Sequence, residues 1–258
     1  MECWHLSGAG NDFVVIDARN QIMDMETFAK ELCAKTGADG FLAVDHSDVA
    51  DFRLHFYNPD GLRGEMCGNG CRCVCRFAYD NGIAGEHMVV QTDAGLVPVV
   101  RMAADQYRVE LNVPGVVDLD RKESISYVEL GNPGIPHAVV RVPGLTFDMR
   151  EALLPLARSL RYDSAFPKGV NVNFYDVLDH TRVRVLTYER GVEDYTLACG
   201  TGSGSVAVIL WLQGALSSDV LLAENQGGTL KITIEGQNKQ VEKLILEGPA
   251  EIIKKFEI

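Results

Sequence analysis

The sequence lacks any apolar run long enough to cross a membrane. Its longest clean stretch, Val206 to Leu212, falls well short of the ~20 residues that span a bilayer. The opening MECWHLSGAG has neither the basic start nor the apolar core of a secretory signal. Positive charge is scarce: 24 Lys and Arg stand against 36 Asp and Glu, for a net charge of −12. A surface of that sign repels phosphate backbones and argues against nucleic-acid partners. Neither GAGNDF nor GTGSGS completes a dinucleotide fingerprint, and no lysine follows in the place a phosphate-binding loop requires. The seven cysteines lack the paired C-x₂-C spacing of a zinc ribbon, and successive turns of one helix cannot close a tetrahedron, so no metal is expected. An odd cysteine count without a secretory signal points to reduced thiols and a cytoplasmic setting.

What the chain does have is ordinary globular material and one repeat. With 258 residues, 47% of them hydrophobic and 23% charged, it can bury a real core as one large domain or two smaller ones. RLHFYNPDGLRGEMCGNG (53–70) and RVLTYERGVEDYTLACGTG (184–202) share a pattern. Each begins with alternating strand-like residues, turns after a tyrosine, and reaches Cys-Gly-polar-Gly. Upstream, GNDFVVID (10–17) matches GNPGIPHAVV (131–140) as a Gly-Asn turn followed by a valine-rich strand. A helix follows each. In the first, Met25, Phe28, Ala29, Leu32 and Cys33 share a face, with Asp24 as N-cap and Gly37 as stop. In the second, Asp148 caps a helix near 149–160 that Pro155 should break in two. The cysteines precede apolar helices, and TDAGLV (92–97) and NQGGTL (225–230) lie in the strands beyond. This gives two homologous α/β halves, 1–114 and 115–247, with LNVPGVV (111–117) as linker and 248–258 as a last strand on the N-terminal half.

The repeated motif carries chemistry. Gly68, Asn69 and Gly70 open one helix, and Gly200, Thr201 and Gly202 open the other. A helix start offers unpaired N–H groups and partial positive charge, which suit a carboxylate and lower the pKa of a nearby thiol. Two such sites facing each other would hold one amino-acid carboxylate between helix starts and one α-carbon between two sulfurs. A thiolate would remove the α-proton and a thiol on the other face would return one, inverting the centre without a cofactor. Donors aimed at the developing charge are worth ~3 kcal/mol each in other enzymes. Cys33, Cys71 and Cys75 read as small core residues, with Cys71 and Cys75 on the core face of their helix; Cys73 falls on the opposite face and Cys3 on the first strand, and neither has a duplicated partner.

The segments HLSGAGNDFVVID, GADGFL, FYNPDG, EMCGNGCRC, GNPGIPHAVV, FPKGVNVNF, YERGVEDYTLACGTG and EGPAEI, in this order along nearly the whole chain, resemble the diaminopimelate epimerases. The resemblance implies an α/β (α+β) fold of two pseudo-symmetric domains, each a barrel-like mixed β-sheet around a central helix. It implies a homodimeric, PLP-independent isomerase that interconverts LL- and meso-diaminopimelate on the way to lysine and peptidoglycan, a small-molecule partner with no other cofactor. Cys67 and Cys199 match the catalytic pair. Asn11, Asn58, Asn132, Asn171, Glu189 and Arg190 match substrate contacts, and the amides around Gly68, Asn69, Gly200 and Thr201 match the carboxylate cradle. Arg190 suits a distal carboxylate and Glu189 a distal ammonium. Two departures stand out: GNPGIPH is longer than the family's usual GNPH, which bears on Asn132 and His137, and GTGSGS replaces the usual GTGAC. A racemase of another amino acid, such as histidine, and a catalytically silent binding protein are the alternatives.

Overall fold

The computed structural model describes residues 1–64 and 66–258; Glu65, the first residue of the EMCGNGCRC segment, lies outside them. The chain divides into two compact units, Met1–Glu110 with Glu247–Ile258, and Leu111–Leu246.

The first unit contains β1 (Glu2–Ser7), β2 (Asp12–Asp17), α1 (Met25–Thr36), β3 (Gly40–Asp45), β4 (Phe52–Tyr57), β5 (Arg63–Gly64), α2 (Gly68–Asp80), β6 (His87–Thr92), β7 (Gly95–Arg101) and β8 (Gln106–Leu111). α1 forms where its periodicity predicts: Asp24 Oδ1 accepts the Thr27 amide at 3.3 Å, and Gly37 ends the helix with a left-handed φ of 73°. β2 and β3 pair in parallel across α1, and β4 and β6 pair in parallel across α2, while β3–β4, β4–β5, β6–β7 and β7–β8 are antiparallel. α2 is the central element. Cys71, Cys73, Cys75, Val74, Phe77 and Ala78 are all buried, packed among Trp4, Phe13, Leu42, Phe52 and Tyr107. Cys73 is therefore enclosed as fully as Cys71, and not on an open face, because strands surround the helix.

The second unit runs through β9 (Pro114–Lys122), β10 (Ile125–Gly131), β11 (Gly134–Arg141), a 3-10 turn (Phe147–Met149), α3 (Arg150–Arg161), β12 (Asn171–Val177), β13 (Arg182–Tyr188), β14 (Tyr195–Thr196), α4 (Gly200–Leu212), β15 (Val220–Asn225) and β16 (Gly228–Gln237). β17 (Gln240–Pro249) and β18 (Glu251–Glu257) follow, and β18 pairs antiparallel with β1 of the first unit's sheet. The pairing scheme repeats: β11–β12 and β13–β15 parallel, β12–β13, β13–β14 and β15–β16 antiparallel. α4 is as enclosed as α2, with Val206, Ala207, Val208, Ile209 and Leu210 buried.

Three local expectations change. Pro155 lies inside a continuous α3. Pro155 and Glu151, whose carbonyl loses its helical partner, are both exposed, so water can take up the lost bond. Asp148 lies within the 3-10 turn that leads into α3; Thr146 is the N-cap of that turn and Met149 that of α3, so Asp148 does not cap the helix itself. The 111–117 stretch is mostly strand, in β8 and β9. No helix among the described residues is long and apolar enough to cross a membrane.

Candidate active site

Cys67 and Cys199 hold equivalent places. Each is the N-cap of a thirteen-residue helix, with backbone angles of −130°/119° and −123°/113°. Each sulfur accepts the amide of the residue three positions on, from Gly70 at 3.4 Å and from Gly202 at 3.3 Å. The β region at an N-cap with a side-chain acceptor is what a helix start requires; here a sulfur takes the role usually held by oxygen. The first-turn residues Gly68, Asn69, Gly200 and Thr201 follow directly, and their amides belong to the set a helix leaves without internal partners.

In the first unit, Asn11 bridges the cap to the sheet. Its Nδ2 donates to Asp39 Oδ2 at 2.8 Å, and its Oδ1 receives Asn69 Nδ2 at 3.3 Å and the Cys67 thiol at 3.8 Å. Asn69 Oδ1 in turn accepts from Arg72 at 2.9 Å. Asn58 begins the turn after β4, closed by its amide to the Leu62 carbonyl (2.8 Å) and by its carbonyl to Gly61 (2.9 Å).

In the second unit, the same register position after the strand is Glu189: Phe41 faces Tyr57 as Val172 faces Tyr188. Glu189 accepts from Thr196 Oγ1 at 2.9 Å. Burial pushes the Cys199 thiol well above the ordinary range, and the Glu189 carboxylate beside it pushes the same way, against the bonds from Thr201 and Gly202. The helix start therefore does not make Cys199 acidic; desolvation wins. Asn171 Oδ1 receives the Arg190 amide at 2.9 Å, and the exposed Arg190 guanidinium donates to the Lys168 carbonyl at 3.1 Å. Asn132 is exposed at the tip of the β10–β11 hairpin, after which Gly131 pairs with Gly134. Offsets of seven residues from Leu6 to its partner Phe13 and nine from Val128 to its partner His137 place Ile135, and not Asn132, at the register position of Asn11. The two extra residues make the hairpin tip, so a match by the Gly-Asn letters is out of register.

Sequence reasoning missed a layer beneath the caps. Under α2 it is apolar: a Cβ at Gly70 would meet Leu42 at 3.3 Å and Phe13 at 3.4 Å. Under α4 it is polar. Asn173, fully buried, donates to His137 Nδ1 at 3.1 Å and the Ala138 carbonyl at 3.0 Å, and accepts from Thr187 at 3.0 Å. Burial lowers the His137 imidazole to about 3, so it is neutral. The alternation in GVNVNF, which puts Asn171 and Asn173 on one strand face, was the available signal. The remaining thiols are core: burial raises Cys33 to about 11 and pushes Cys73 and Cys75 up as well.

The family described as diaminopimelate epimerase matches this chain over residues 3–114 and 130–253. A diaminopimelate epimerase of Aquifex aeolicus is 36% identical, covering 93% of this chain and 92% of its own. One of Archaeoglobus fulgidus is 38% identical over 89% and 88%. Among solved structures, a phenazine biosynthesis protein of the PhzF family from Bacillus anthracis superposes with a TM-score of 0.76 at 17% identity, covering 100% of this chain and 98% of that one. A hydroxyproline epimerase from Agrobacterium vitis does so with 0.72 at 16% identity, over 99% and 91%. These two likenesses establish the fold: α+β, a curled mixed sheet with few helices, shared with racemase-type epimerases.

Proposed function

The chain belongs to the diaminopimelate epimerase family, and from that premise we propose that it interconverts LL- and meso-diaminopimelate by proton transfer between two thiols, without pyridoxal phosphate. The observation that carries this reading is the duplicated cap: the same residue type, with the same backbone angles and the same sulfur-to-amide bond, begins both enclosed helices. One sulfur, as thiolate, takes the α-proton. The electron pair left on carbon delocalises into the α-carboxylate, whose growing charge the first-turn amides of Gly68, Asn69, Gly200 and Thr201 stabilise. The other sulfur, as thiol, gives its proton to the opposite face. The carbon is inverted, and the two sulfurs have exchanged protonation states.

Asn11, Asn58, Asn171, Glu189 and Arg190 hold the amino and carboxyl groups of the substrate. Arg190 grips the distal carboxylate with a planar pair of donors, and Glu189 accepts from an ammonium. Asn132 belongs to this set by motif alone, and its exposed hairpin position lends it no further support. The two halves 1–114 and 115–247 each contribute one thiol, the enzyme works as a homodimer, and it acts in the cytoplasm. The test is substitution: Cys67→Ala and Cys199→Ala should each abolish epimerisation while far-UV circular dichroism stays that of the parent chain. Inversion retained by both variants would exclude the two-thiol mechanism.

A further inference from the structure

We propose that Arg72 is a positioning residue of this reaction, a buried cation that holds the Cys67 cap in place and favours its thiolate; the proposal rests on Cys67 being one of the two proton-transfer thiols. The starting observation is a charge in the wrong solvent. Arg72 is 0% exposed. A buried guanidinium ordinarily sits against a carboxylate, because an unpaired charge in the interior is costly. Here its hydrogen bonds go to three neutral oxygens: Asn69 Oδ1 at 2.9 Å, the Pro249 carbonyl at 3.0 Å and the Gly68 carbonyl at 3.4 Å. Among the described residues it forms no ion pair.

Its surroundings are thiols. Arg72 is five residues beyond Cys67 on the helix that Cys67 caps, beside Cys71 and Cys73. Burial works against its charge, and the sulfurs of Cys73, Cys67 and Cys71 are the groups whose negative charge would favour it. Of these, Cys71 and Cys73 are fully buried in apolar packing, whereas Cys67 is partly open. The anion this cation is built to meet is the Cys67 thiolate. Among the described residues, the carboxylates near the cap include Asp39, engaged by Asn11, and Asp12, which lies 3.5 Å from His5. Both carboxylates oppose a thiolate, so the cation also offsets them.

The contacts of Arg72 serve geometry as well. Through Asn69 it reaches Asn11, whose Oδ1 accepts the proton of Cys67 when that residue is a thiol, so this contact fixes the position of the sulfur while the guanidinium favours its ionised form. Through Pro249 it ties the EGPAEI segment to the same helix start. In the second unit the position five beyond the cysteine is Gly204, whose surroundings are Leu111, Leu130 and Leu244, and the charged group beside Cys199 is the Glu189 carboxylate. The halves are thus electrically opposite: a cation serves Cys67 and an anion serves Cys199. The resting enzyme carries a thiolate at Cys67 and a thiol at Cys199, ready to take a proton at the first and give one at the second. After each inversion the states are reversed; Cys67 then loses its proton to solvent and Cys199 takes one from solvent, and the two charges bias that exchange back to the resting arrangement.

The experiment measures Cys67 alkylation by iodoacetamide across pH 5 to 10, with the modified peptide quantified by mass spectrometry so that activity is not the readout. In the unsubstituted chain the Cys67 midpoint should lie below the free-thiol value of about 8.5; a midpoint at or above that value overturns the proposal. In Arg72→Met the midpoint should rise by a unit or more, a loss of about tenfold in reactive thiolate at pH values well below the parent midpoint. Arg72→Lys should recover part of that shift while losing turnover through the missing bonds to Asn69 and Pro249. A profile in Arg72→Met that superimposes on the parent's also overturns it. If Arg72→Met does not fold, the parent midpoint decides. A low parent midpoint in a chain that fails to exchange any α-proton would instead leave Arg72 its role and refute the epimerase reading.

Discussion

Glycine at the third position of each enclosed helix gives a matched pair of perturbations. Gly70→Ala and Gly202→Ala place the same methyl at equivalent positions, but over different floors. At Gly70 the new carbon would meet Leu42 at 3.3 Å, Phe13 at 3.4 Å and Cys67 Cβ at 3.5 Å. Those are tight but near ordinary contacts with side chains that can yield by a few tenths of an ångström. Alanine also gains roughly 0.5–1 kcal/mol over glycine within a helix. The two effects nearly cancel, and Gly70→Ala should change stability by less than about 1 kcal/mol. At Gly202 the carbon would collide with Asn173 Oδ1 and lie 2.8 Å from Thr187 Oγ1. Asn173 cannot move without breaking its bonds to His137, Ala138 and Thr187. Overpacking costs about 1–3 kcal/mol, and leaving buried polar atoms unpaired adds about 1–3 kcal/mol. The expected loss for Gly202→Ala is therefore about 2–5 kcal/mol, with displacement of the amide that binds Cys199. Urea unfolding followed by tryptophan fluorescence and circular dichroism measures both variants against the parent. Equal losses, or a larger loss at Gly70, would refute the reasoning that the two floors differ.

Other predictions follow from the same geometry. Arg190→Ala should raise the KM for diaminopimelate ten- to a hundredfold, since one charged hydrogen bond is worth about 1.5–3 kcal/mol. Because Arg190 is exposed, the melting temperature should barely change; an unchanged KM would remove it from the site. His137 titrates near 3 when folded, against an ordinary value of about 6.5. Between those values the unfolded chain binds a proton that the folded chain does not, so stability is full above the upper value and is lost as pH falls below it. At pH 5 this group alone costs about 2 kcal/mol. The stability gap between the parent and His137→Gln should narrow by that amount from pH 7 to pH 5, and a gap independent of pH would contradict the buried neutral state.

The elements that local chemistry dictates were legible in the sequence. Asp24 and Gly37 delimit α1 because capping needs only neighbours, and the two cysteine caps announced themselves by repetition. What failed depended on partners distant in sequence. Helical spacing put Cys73 opposite Cys71, but spacing cannot tell whether strands enclose both faces. Pro155 signals a break only if its lost bond cannot go to water. The Gly-Asn letters aligned Asn132 with Asn11, yet strand register, which only the paired structure fixes, gives that position to Ile135. Arg72 and the His137–Asn173–Thr187 layer carry no motif of their own; their meaning comes from burial and from the opposite character of the equivalent residues in the other half. The helix-start field suggested an acidic thiol at Cys199, and the burial that reverses it is a tertiary property.

The central claim is tested most directly by incubating reduced protein in D₂O with LL-diaminopimelate and following deuterium at the α-carbon by mass spectrometry, with histidine, glutamate and lysine in parallel. The account predicts exchange with inversion for diaminopimelate and none for the other three. Exchange with one of those instead would keep the two-thiol chemistry and overturn the substrate assignment to Glu189 and Arg190, and no exchange with any of the four would contradict the catalytic reading itself.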